Sequence, residues 1–84
     1  MEMTIPDEKL FRTSDLAIVA AICVSGFSVI RMEPVDEKRI NFVFEKSGKL
    51  DDIVSRFWNG GLSVEPQAYF NAIKTLKTRI YRHA

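Results

Sequence analysis

The chain has 84 residues, of which 46% are hydrophobic and 27% charged, and its formal net charge is +1. That length holds one domain, expected over residues 1–84 with 1–8 as a loose arm, and a domain so small buries only about 60% of its unfolded-chain surface. The composition excludes a disordered chain, and the near-neutral balance excludes a strong field steering the whole protein to an acidic partner.

After the arm, "KLFR" at residues 9–12 reads as one short extended segment. Thr13 and Ser14 offer side-chain oxygens to a helix start, and Asp15 suits the positive end of the helix dipole. The helix is expected from Asp15 to Ser25, with Gly26 as a left-handed terminator. It is apolar nearly all round, from Leu16 to Val24. A surface helix shows one apolar stripe, so this one must be covered on several sides. Either the sheet and another helix wedge it within one chain, or a subunit interface buries it.

"FSVIRM" at residues 27–32 reads as a strand, and "EPVDEK" at 33–38 as a hairpin loop. "RINFVFE" at 39–45 is the clearest strand. Ile40, Phe42 and Phe44 point one way, while Asn41, Val43 and Glu45 point the other. Ser47 is placed to cap a second helix beginning near Lys49. Its apolar face is Leu50, Ile53, Val54, Phe57 and Trp58, and Asn59 and Gly60 end it. On that stripe Phe57 and Trp58 read as core residues rather than as an exposed stacking platform. Pro66 opens a third helix running to Tyr81 or beyond. Its core stripe is Tyr69, Ala72, Ile73, Leu76 and Ile80. The expected fold is α+β, in the order (β)-α-β-β-α-α, with an antiparallel hairpin sheet packed by helices.

Chemistry is sparse. Cys23 is the only cysteine, so an intramolecular disulfide is excluded, and its apolar setting suits a buried thiol. His83 is the only histidine and stands next to the end of the sequence, where chains fray. One His and one Cys cannot build a familiar zinc site, so no metal or cofactor is expected. "SGK" at 47–49 lacks the upstream glycine of a phosphate loop. Asp51 and Asp52 diverge by roughly 100° on a helix and do not converge on one proton or ion. Asp36 and Glu37 read as solvated loop charges, and a serine nucleophile has no well-placed histidine. A single-chain enzyme is not expected. "MEMTIPDEK" lacks the layout of a signal peptide, and the apolar run at 16–24 is far shorter than the ~20 residues of a membrane span. A cytoplasmic, reducing location without membrane contact is the expectation.

The words "FRTSDLAIVAAICVSGF", "FVFE" and "FWNGGLSVEPQAYFNAIKTLKTRIY" resemble a small uncharacterised family of bacterial and phage-encoded proteins, a domain of unknown function. The resemblance covers about Phe11 to Tyr81. It is carried by Thr13, Ser14, Asp15 and Leu16, by Gly26 and Phe27, by Phe57 to Gly60, and by Pro66, Tyr69 and Phe70. It implies a prokaryotic or mobile-element source and brings no activity, cofactor or site residue.

Two functions remain open. A protein-interaction or assembly module follows from the all-apolar first helix, whose surface a symmetric dimer would cover. A sequence-independent nucleic-acid-binding module follows from the last helix. There Lys74, Lys77, Arg79 and Arg82 supply cations, with Phe70 and Tyr81 interleaved on the Lys74/Lys77 flank. Residues 65–84 carry a net +3 and residues 1–64 a net −2, so charge concentrates on that helix. Basic residues near a helix C-terminus also simply complement its dipole. The interaction reading leads, and these six residues form the candidate binding patch.

Overall fold

The computed structural model describes residues 5–83, with side chains through Arg82, and its architecture is α+β. The expected features of residues 1–4 and of the His83 side chain lie outside the described residues. The elements are β1 (Leu10–Thr13), α1 (Leu16–Val24), β2 (Arg31–Pro34), β3 (Ile40–Glu45), α2 (Gly48–Trp58) and α3 (Pro66–His83). Their order matches the expected one, and the extra strand before the first helix is present. Within the expected arm, Asp7–Lys9 form a turn of 3-10 helix leading into β1.

The strands form one antiparallel sheet in the order β1-β3-β2. β3 is central, pairing with β1 along one edge and β2 along the other. Phe42 and Phe44 are fully buried on the helix side. Their register partners Thr13, Phe11 and Met32 extend that face across the sheet. Val43 points the other way between Arg12 and Arg31, and it too is fully buried.

Two strand boundaries differ from the sequence reading. Residues 27–30 lie outside the ladder, apart from Ile30 N–H donating to the Val43 carbonyl at 2.7 Å. Pairing runs instead from Arg31 to Pro34. Phe27 and Val29 are apolar because they pack on the core, not because they pair. The hairpin turn is correspondingly short. Asp36 Oδ1 accepts from Lys38 N–H at 2.8 Å, and Val35 N–H donates to the Arg39 carbonyl at 2.9 Å.

α1 occupies the centre. Ile18, Val19, Ala20, Ala21 and Ile22 are buried along it. Ile18, Val19, Ala20 and Ile22 join one cluster with Phe42 and Phe44 of the sheet, Leu50 of α2 and Leu76 of α3. Each fully buried Phe, Leu or Ile contributes about 1.5–3 kcal/mol. α1 packs against both other helices, and the Tyr69 hydroxyl of α3 donates to the Ala17 carbonyl at 3.0 Å. One chain therefore covers the middle of this helix, while Leu16, Ala17, Cys23 and Val24 near its ends are half-buried. Its start also differs in detail. Asp15 itself is the cap, its Oδ1 accepting from Ala17 N–H at 2.9 Å, while Thr13 Oγ1 accepts from Asp15 N–H at 3.1 Å. Gly26 ends the helix at φ +102°, the left-handed region where a Cβ is strained.

α2 begins at Gly48 with Ser47 Oγ accepting from Leu50 N–H at 3.1 Å. Its stripe leaves the core progressively. Leu50 is fully buried, Ile53, Val54 and Phe57 are half-buried, and Trp58 is exposed. A glycine at φ +73°, Gly60, then turns the chain toward α3.

Candidate interaction surface

α3 starts where Glu65 caps it: the Glu65 carboxylate accepts from Ala68 N–H, and its carbonyl accepts from Tyr69 N–H at 3.0 Å. Leu76 is buried, and Tyr69, Ala72, Ile73 and Ile80 pack against the core, as their spacing predicts. The helix contains no aspartate or glutamate. Its four cations Lys74, Lys77, Arg79 and Arg82 take part in no ion pair among the described residues.

The six residues of the predicted patch do not form one surface. Phe70, Lys74, Lys77 and Tyr81 follow one another at intervals of four, three and four. At roughly 100° per residue they share one flank, and all four are exposed. Phe70 is 57% exposed and Tyr81 85%. Lys74 Nζ sits 4.8 Å from the Phe70 ring centroid, over its face. Cation and aromatic therefore hold each other in place, an attraction of about 0.5–1 kcal/mol at an exposed site. Arg79 lies nine positions after Phe70, roughly on the opposite side of the helix. Its charge acts instead on Cys23 of α1. Arg82 is exposed but falls outside the flank, between the two directions. The surface is a four-residue seam, with Arg79 and Arg82 removed from it.

The tryptophan departs from its expected place. Trp58 is 65% exposed, and its ring meets Phe57 edge-on at 5.5 Å between centroids, with 89° between planes. Phe57 is the core residue of the pair, packed against the cluster. Trp58 stands only about 1.5 Å beyond Phe57 along α2 but about 100° round it, at the edge of the stripe, where the core does not reach. Beneath that helix end, Ala21, Phe57, Gly60, Leu62, Val64 and Tyr69 line an apolar notch of about 230 Å³. It is smaller than ordinary ligand pockets, and its one hydroxyl, that of Tyr69, is committed to the Ala17 carbonyl.

A second charged feature escaped the sequence reading. On the sheet face away from the helices, Arg12 Nε donates to Glu33 Oε1 at 2.8 Å, and Arg31 Nε to Glu33 Oε2 at 2.8 Å. Arg12 also meets Asp7 at 3.1 Å. The Arg12–Glu33 bridge joins the two outer strands and so crosses β3 beside Val43. Arg12 and Arg31 flank Val43 in the register, and long arginine stems suit a small apolar residue buried on this face. Hydrogen bonds from Arg12 and then Arg31 hold the Glu33 carboxyl below its ordinary range, and Glu33 and Asp7 raise Arg12 above its own. Two strand arginines and a strand glutamate pointing away from the core were the available signal. The shifted start of β2 concealed it. The charges satisfy one another, so this face is a clasp rather than an open site.

Burial pushes the Cys23 thiol up, with the charge of Arg79 opposing it more weakly. A thiol held protonated is a poor nucleophile. Among the described residues no group of three or more His, Cys, Asp or Glu is placed to hold a metal ion. No helix among them is long and apolar enough to cross a membrane.

A family model described as a domain of unknown function (DUF5659) matches residues 8–82, in keeping with the resemblance of the sequence motifs to an uncharacterised family. No curated protein and no solved structure matches the chain.

Proposed function

The chain belongs to the DUF5659 family, and from that premise we propose that it is a small binding protein that acts through protein–protein contacts and carries no catalysis of its own. The observation supporting this is the seam of α3. Phe70 and Tyr81 expose large apolar area at both ends of two lysines that have no acidic partner among the described residues. Such a stripe costs solubility and serves no internal packing. Exposed aromatics beside unpaired cations are the ordinary make-up of a binding surface. The reading also places the protein in the reducing interior of a cell, where a lone thiol such as Cys23 stays reduced. A phage or mobile element as its source is part of the same proposal.

Sequence-independent nucleic-acid binding is the second reading. It is favoured by the same interleaving of aromatic faces and cations, which suits an unpaired strand. One experiment addresses both. A photo-crosslinking residue is placed at Lys77, on the seam, or at Thr75, on the other side of α3, in cells that encode the protein. A protein adduct from position 77 and none from 75 supports the proposal. A nucleic-acid adduct from 77 supports the second reading. Equal labelling from both positions, or none, defeats both.

A further inference from the structure

We infer that the seam of α3 receives an acidic amphipathic helix of a partner protein, laid along it with carboxylates on Lys74 and Lys77 and apolar side chains against Phe70 and Tyr81. This rests on the binding reading above and names the chemistry of the partner. The spacing of four, three and four is the spacing by which one helix faces another, the d-a-d-a rhythm of a helical seam. Core-facing residues of α3 follow a different stripe, so the seam is not left over from internal packing. From Phe70 to Tyr81 it spans about 16 Å at roughly 1.5 Å per residue, three turns of an opposing helix.

Charge selects among the occupants. A second copy of this chain is disfavoured. Antiparallel self-pairing of the seam sets Phe70 against Tyr81 and Lys74 against Lys77, so cation meets cation at the centre. A nucleic-acid strand is disfavoured too. Two seam lysines neutralise only about two phosphates, and binding without base readout grows with that number. One face of Phe70 is already covered by the Lys74 ammonium, which leaves that face no room for a base. A helix with acids in the middle and apolar residues at the ends meets every group. It pairs both lysines and leaves the Phe70–Lys74 contact in place.

The test uses a complementary peptide of about 21 residues, long enough to hold a helix in contact. Two leucines stand eleven positions apart, with glutamates at the intervening fourth and seventh positions in an alanine and glutamine background. Fluorescence anisotropy compares it with a twin carrying glutamine for both glutamates, and with a labelled oligothymidine strand. The acidic peptide should bind about tenfold more tightly than its twin, a modest preference suited to two exposed charge pairs. The double variant Lys74→Glu/Lys77→Glu should lose that preference and bind instead a peptide with lysines at the same two positions. This reversal needs a folded protein, so it separates recognition from misfolding. Equal affinity for the acidic peptide and its twin overturns the inference, as does no binding of the acidic peptide, or tighter binding of the oligothymidine. A protein adduct from Lys77 alongside any of those results keeps the binding reading and removes this one.

Discussion

α1 and α3 touch through a single Tyr69–Ala17 hydrogen bond and a shared core, yet they solve opposite problems. α1 has no charged residue between Leu16 and Val24 and is enclosed by the sheet and both other helices. α3 gives one stripe to the core and carries elsewhere four cations without an acidic partner among the described residues, together with two exposed aromatics. A helix enclosed along its middle is fixed mainly by packing and offers little surface to a partner. A helix packed on one side keeps its other faces free. Stability is therefore concentrated in α1, and candidate recognition in α3.

The sharpest way to break this contrast is truncation of α1. Ile22→Ala removes a fully buried side chain and should cost about 2–5 kcal/mol, a large part of the stability of so small a domain. Ile80→Ala on α3, only half-buried, should cost clearly less in the same urea titration. Similar losses would mean that the two helices share the core equally. Next is the link between them. Tyr69→Phe removes the hydroxyl that donates to Ala17 and should lower stability by about 1 kcal/mol, read as a shift of the denaturation midpoint. No shift would show that packing alone holds α3 to α1.

Trp58 separates direction from burial. As an exposed residue, Trp58→Ala should cost no more than about 1 kcal/mol, against about 3–5 kcal/mol for a buried tryptophan. A large drop in melting temperature would return it to the core. The smallest effect belongs to the clasp. The Glu33 carboxyl is held below its ordinary value of 4.5 in the fold. Its contribution is therefore present above that value and lost as pH falls through the depressed one. Glu33→Gln should melt slightly below the unsubstituted protein at neutral pH, and the gap should close as pH falls below 4.5 and through the depressed value. A gap that persists in acid would assign the effect to packing over Val43 instead.

Most of the fold was legible wherever the physics is local. Ser47 capping α2, Gly26 ending α1 and the alternation of Ile40, Phe42 and Phe44 depend on neighbours in sequence, and the structure has them as read. Three features depended on distant chain. Phe27 and Val29 look like strand residues, but β3 decides where pairing begins, and it begins at Arg31. Val43 is buried on the outer face of β3, in register with Arg12 and Arg31 of two other strands. Trp58 lies at the edge of the stripe, about 100° round the helix from core-packed Phe57. The candidate surface was half legible. Periodicity placed Phe70, Lys74, Lys77 and Tyr81 together, whereas grouping by charge added Arg79, which the same periodicity sends to the other side.

The position of β3 between its two neighbours also bears on how the chain assembles. β2 and β3 are joined by a turn of a few residues and can zip together early, since closing a short loop takes little entropy. β1 lies on the far edge and reaches its partner only across α1 and the whole hairpin. Non-local pairing of this kind is slow. The first strand of the sequence then closes the longest loop of the sheet, held by its ladder with β3 and tied to β2 by the Arg12–Glu33 bridge.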